Sequence, residues 1–145
     1  MNKPQPVLDI SGRCACGSVG MVLRGPVMSM LICSCLDCQR GTGSGHASVA
    51  LVRSDVLGVD GMTKSFDRPS DSGATFTRHF CPQCGTPLYG HSSRAAGLRM
   101  VAVGFFAGQN EWFAPSQLIF ARSLQEWDVI ADHLPRYETY RENSR

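Results

Sequence analysis

Three observations predict a mainly β domain. Fifteen glycines and eight prolines are spread through 145 residues, which suits many tight turns. The apolar stretches between them are short, and composition favours strands over helices. Finally, two cysteine pairs lie far apart in the chain, each followed closely by Gly, so one metal ion would tie distant strands together.

The elements follow in chain order. Residues 19–24 alternate weakly between apolar and polar side chains, then stop at Gly25-Pro26. Residues 28–32 are a short apolar run leading into Cys33. Residues 46–52 are rich in Ala and Val and read as a strand. Residues 64–66 and 75–80 are two strands around a loop of Pro, Ser, Asp and Gly at 69–73. Residues 86–91 and 98–105 are further strands, and 117–121 is the last. Residues 124–130 fit one or two helical turns. The polar stretch 138–145 is expected to fray. No composition shift marks a boundary, so residues 1–145 read as a single domain.

The apolar share of 43% and charged share of 18% are globular values. No apolar run reaches the length that spans a membrane. The first ten residues carry one Lys and two Pro around no apolar core, unlike a secretion signal. A cytoplasmic location is therefore expected, where thiols stay reduced. Seven cysteines there point to metal rather than disulfides, and an odd count fits a disulfide framework poorly. The formal charge of +2 treats thiols as neutral. Filling one four-thiolate and one three-thiolate zinc site lowers it to about −1. The slight basicity gives no argument for nucleic acid.

Cys81-Pro82-Gln83-Cys84-Gly85 reads as a zinc knuckle. The tight turn aims two thiolates at one ion, and Gly85 lets the backbone fold back beneath it. Structural zinc takes four ligands. Cys14-Ala15-Cys16-Gly17 supplies the other pair, so Cys14, Cys16, Cys81 and Cys84 form a structural zinc site.

Cys33-Ser34-Cys35-Leu36-Asp37-Cys38 differs. Three thiolates at one centre leave a position open for water or a substrate thiol, the pattern of a catalytic zinc. Three alternatives stand beside this. One of these cysteines could belong to the structural site, all three could be exposed thiols without metal, or His46 or His79 could close the site.

Gln39-Arg40 follows Cys38 directly, and Arg40 could offer its forked donors to a ligand carboxylate, or be a solvated surface residue. Residues 41–45, Gly-Thr-Gly-Ser-Gly, form a flexible loop but lack the Lys-Ser/Thr ending of a phosphate loop. His79 reads as a packing residue beside the knuckle. Trp112 and Phe113 could flank a ligand cleft, though such a pair is more often core. His133-Leu134-Pro135 is most simply a turn.

Three stretches together resemble the glutathione-dependent formaldehyde-activating family (GFA, or CENP-V/GFA domain). They are residues 12–19 around Cys14 and Cys16, residues 33–44 around Cys33, Cys35 and Cys38, and residues 78–88 around Cys81 and Cys84. The ending from Trp127 to Glu138 is similar as well, so the resemblance spans about residues 12–138. It implies a β-tent of small antiparallel sheets. It also implies a structural zinc on Cys14, Cys16, Cys81 and Cys84 and a catalytic, exchangeable zinc on Cys33, Cys35 and Cys38. The implied chemistry is a carbon–sulfur lyase run in the synthetic direction, joining glutathione and formaldehyde as S-(hydroxymethyl)glutathione.

As an enzyme, the protein would hold a thiol as thiolate at the open zinc position, beside a small aldehyde. The sequence assigns no general acid; water and His46 are the candidates. The alternative is a non-catalytic binding module in which zinc only holds shape. No partner beyond a small thiol and an aldehyde is expected, with neither nucleic acid nor membrane among them. The sequence does not fix the oligomeric state.

Overall fold

The computed structural model describes residues 5–141. Parts of the expected N- and C-terminal stretches, residues 1–4 and 142–145, lie outside them.

The fold is mainly β and almost wholly antiparallel, as the sequence predicts. Its strands are β1 (Val7–Arg13), β2 (Gly20–Cys33), β3 (Ala47–Arg53), β4 (Leu57–Asp60), β5 (Lys64–Pro69), β6 (Thr75–Phe80), β7 (Pro87–Ser92), β8 (Leu98–Ala102) and β9 (Leu118–Ile119). Among the described residues one α-helix, α1, spans Leu36–Thr42. No helix among the described residues is long and apolar enough to cross a membrane.

β2 is the spine. Its first half pairs with β1 on one side and β4 on the other. Its second half pairs with β3 and, in parallel, with β9. From β3 the sheet continues through β8, β7 and β6 to β5. Two small sheets thus share one strand of 14 residues. Gly25-Pro26 predicts the end of one strand, with another beginning at Met28, but the chain runs straight through. Gly25, at φ 141°, faces Val56, where a Cβ would stand 2.8 Å from a methyl group. Pro26 pairs with Val7 just before β2 exchanges its partners, so the missing N–H costs little.

Period-two burial explains the core. Met21, Leu23, Val27, Met30, Ala50, Val52, Val101 and Phe106 all face one main cluster. Trp112 and Phe113 pack against it with their rings edge to face, so they belong to the core side rather than to a cleft. A second cluster of Ile32, Leu118, Ile130 and Leu134 ties the C-terminal segment to the end of β2.

Several expectations need correction. Residues 103–106 leave the ladder as a 3-10 turn, and β9 keeps only two residues of the expected last strand. Residues 124–130 form no helix; one turn closes there through Asp128 N–H on the Gln125 carbonyl at 3.0 Å. Glu138 and Thr139, in the stretch expected to fray, accept hydrogen bonds from the backbone of Arg122 and Phe120. β1, β4 and α1 carry little hydrophobic periodicity in the sequence, because each is short and largely solvent-facing.

Candidate metal centres

The first centre joins the turn after β1 to the turn after β6. The Sγ atoms of Cys14, Cys16, Cys81 and Cys84 all lie within 4.8 Å of one another. Cys16 Sγ stands 3.7 Å from both Cys14 Sγ and Cys81 Sγ. Four thiolates placed tetrahedrally about zinc at about 2.3 Å have sulfurs about 3.8 Å apart. The donor set therefore fits a tetrahedral thiophilic ion.

Local backbone geometry creates this spacing. Gly17 and Gly85 adopt φ +83° and +77°, which a side chain would strain. Amide groups then point at sulfur: Val19 N–H on Cys14 at 3.3 Å, Gln83 N–H on Cys81 at 3.4 Å. Two hydroxyls complete the cage, and neither was singled out by the sequence reading. Ser18 Oγ lies 3.0 Å from Cys16 Sγ and 3.3 Å from Cys81 Sγ. Thr86 Oγ1 lies 3.1 Å from Cys84 Sγ and accepts from Ala15 N–H. The Thr86 hydroxyl and amide, with the Cys16 amide, pull the Cys84 thiol down to about 5. At Cys14 burial opposes ionisation, but the Val19 amide and Cys16 outweigh it, and the thiol falls to about 7. Such donors favour thiolates, the form that binds metal.

The second centre is local. Cys33 ends β2, and Cys35 and Cys38 bracket the first turn of α1. Cys35 caps that helix itself: its sulfur accepts the Cys38 amide at 3.3 Å. Gly43, at φ 69°, closes the other end. The Gly-rich segment expected to be a loose loop is therefore partly helix and partly its cap. The three sulfurs lie within 4.8 Å of one another, and no fourth His, Cys, Asp or Glu ligand atom joins them among the described residues. Donation from Cys33 and Cys38 drives the Cys35 thiol down to about 2, while Cys35 pushes Cys33 up to about 12. Three sulfurs competing for so few protons is the electrostatic problem that a bound cation relieves. This donor set fits a thiophilic ion with a position left open.

The remaining candidates fall elsewhere. His46 gives Nδ1 to Asp128 Oδ2 at 2.7 Å, pinning the 124–130 segment to the start of β3. His79 sets Nε2 at 3.2 Å from His91 Nε2 and stacks on Tyr89. Neither histidine joins either cysteine group. Arg40 reaches Asp37 at 3.6 Å and is otherwise mostly exposed.

Strand register shows what faces the second centre. Cross-strand partners share a face of the sheet. Cys33 pairs with Ala47, Leu31 with Val49, Leu51 with Met100, Met100 with Gly90, Gly90 with Arg78, and Arg78 with Phe66. Arg68 pairs with Phe76 on that same side. The opposite face holds Met30, Ala50, Val101 and Tyr89, all packed in or against the main core. The Cys33 face is thus the half-open one, with Leu31, Val49, Leu51, Met100 and Phe76 all half-buried. The far edge strand curls back to the site: Arg68 of β5 meets Asp37 of α1 at 3.3 Å. At the rim, Arg122 meets Asp71 at 2.6 Å. The sheet becomes a trough with three cysteines at one end.

A crystal structure of a Rhodobacter sphaeroides protein is similar in fold, with a TM-score of 0.56 at 20% identity over 70% of this chain and 92% of that one. The family model described as glutathione-dependent formaldehyde-activating enzyme matches residues 9–123, which hold all seven cysteines. With both cysteine clusters inside the matched span, the chain belongs to the glutathione-dependent formaldehyde-activating enzyme family.

Proposed function

We propose that the protein is a zinc-dependent carbon–sulfur lyase-type enzyme that joins a glutathione-like thiol to a small aldehyde. The carrying observation is the Cys33, Cys35 and Cys38 cluster, three sulfurs close together with no fourth protein ligand among the described residues. Family membership supports the choice of thiol and aldehyde.

Zinc held there would supply an open position at which a thiol loses its proton. The chain's own residues do the rest. α1 fixes Cys35 and Cys38 one helical turn apart, on the end of the strand that carries Cys33. The half-open trough holds the thiol and aldehyde side by side, which removes much of the entropic barrier to their meeting. The thiol's proton passes to water, the sulfur bonds to the carbonyl carbon, the π pair moves to oxygen, and oxygen takes a proton back from water at the open face. Atoms balance with no leaving group. His46 Nδ1 is bonded to Asp128 Oδ2, which leaves Nε2 of that ring to pass a proton, with water as the other source. The Cys14, Cys16, Cys81 and Cys84 cluster would hold the structural zinc of a single cytoplasmic domain, and the second zinc would be the exchangeable one.

Metal content and activity test this together. We expect about two zinc ions per chain, from the two ligand sets. We expect faster appearance of the S-hydroxymethyl carbon signal when glutathione and carbon-13 formaldehyde meet the protein. One zinc per chain and no rate enhancement would instead identify a binding module.

A further inference from the structure

We infer that Arg68 and Arg78 make the trough read carboxylates, so that the thiol admitted to the Cys33, Cys35 and Cys38 site is an acidic one. This rests on the thiol-binding role proposed for that site.

Arg68 is a fixed cation rather than a solvated one. Its side chain is only 19% exposed. Nη1 reaches Asp37 Oδ2 at 3.3 Å and the Pro69 carbonyl at 3.4 Å. The guanidinium lies over the Phe76 ring, 4.7 Å from its centroid. Among the described residues Nε and Nη2 have no hydrogen-bond partner. Guanidinium donors come in a planar fork that matches a carboxylate. With one edge held by Asp37, the fork keeps further donors for a ligand.

Arg78 repeats the arrangement one step along. It sits on the same face, between the rings of Phe66 and Phe80 at 5.4 and 5.6 Å. Diagonal neighbours on paired strands stand about 7–8 Å apart, so the two guanidiniums suit two separated carboxylates of one small molecule. No acidic side chain shares this face in β5 or β6; Asp67 alternates to the other side, where it accepts from Thr77.

The charge at the metal end favours such a pair. Three thiolates and a divalent cation leave a net negative centre, and a fourth thiolate adds to it. An acidic thiol would be repelled without compensating cations on its path. Arg40 shares Asp37 with Arg68 but is 75% exposed, so it adds less.

The test uses the full chain with cobalt in both cysteine sites, titrated with glutathione and with glutathione diethyl ester, whose carboxylates are blocked. The sulfur-to-cobalt absorption reports thiol binding. Wild type should bind glutathione about tenfold more tightly than the ester or better, the range for charged hydrogen bonds. Arg68→Met should reduce that preference to about threefold or less, with ester affinity little changed. Arg68→Lys should recover part of it. Arg78→Gln, at an exposed position that leaves the fold intact, should also lower the preference. If the variants keep the wild-type preference while wild type binds both thiols, the arginine reading is overturned and the thiol site stands. If wild type binds neither, the thiol site and this reading fall together.

Discussion

Gln39 Nε2 donates to the Ser123 carbonyl at 2.9 Å across 84 positions of sequence. The same amide nitrogen donates to the Ser34 carbonyl, also at 2.9 Å. Gln125 in turn donates to Gln39 Oε1 at 3.3 Å. One side chain therefore clamps the three-cysteine segment to the C-terminal loop. The loop is entered through Phe120 at φ 57°, a backbone conformation that a bulky residue adopts only when its surroundings hold it there. Gln39→Ala should cost about 1–3 kcal/mol, a few degrees in thermal midpoint. It should also lower affinity for metal at Cys33, Cys35 and Cys38, while metal at the four-cysteine centre stays. A thermal melt beside a chelator titration checks both. An unchanged chelation profile would mean that the clamp does not govern the site.

The two cysteine sets should respond differently to removal. Cys16 and Cys81, 65 positions apart, meet at one centre, so a metal bound there would hold two segments together. Structural zinc of this kind contributes on the order of 10 kcal/mol to folding. Cys84→Ser should leave the protein unfolded or insoluble. Cys35→Ser should leave it folded, with about one zinc fewer and no thiol-dependent activity. Zinc per chain and a circular dichroism melt distinguish the two. Equal unfolding of both variants would abolish the division into structural and exchangeable sites.

Gly90 lies under the Phe76 ring, where a Cβ would collide with the ring edge and approach the Thr77 carbonyl at 3.1 Å. Phe76 supports the Arg68 guanidinium. Gly90→Ala should therefore destabilise by about 1–3 kcal/mol through overpacking, and should shift Arg68 as well. The expected signature is a lower midpoint with a raised KM for the thiol. A lower midpoint with KM unchanged would show that Arg68 keeps its place without the ring.

His79 and His91 are both held below the usual imidazole range, first by burial; the neighbouring His91 then adds to the effect at His79. A folded pKa below the unfolded value means that the unfolded chain binds more protons on acidification. Stability from this pair is thus present above about pH 6.5 and is lost as pH falls below it. Acid also strips metal from thiolates, so the useful quantity is a difference. Between pH 7 and 5 the midpoint of wild type should fall more steeply than that of His91→Gln. Parallel curves would show that the pair contributes no pH dependence.

The sequence by itself determined the two groups of cysteines. Cys-x-x-Cys with Gly85 and Cys-x-Cys with Gly17 specify two turns whose backbone places sulfurs locally, because the short spacing leaves few alternatives. Strands such as 75–80 and 46–52 were legible to within a residue, since alternation against one core imposes period two. Helix α1 was not legible. Its N-cap is a cysteine sulfur, that of Cys35, and part of its stabilisation comes from Gln39 bonding to backbone far away in the chain. The continuity of β2 through Gly25-Pro26 was also hidden, because a break signal is overridden when partners wait on both sides. Tertiary structure alone decided which face carries the three cysteines and which arginine approaches them. Arg40 is two positions from Cys38 in sequence but lies mostly in solvent. Arg68, 30 positions on, is brought to Asp37 by the curl of the sheet. That curl accumulates from strand twist over five pairings between β2 and β5, and no local stretch of sequence records such a sum.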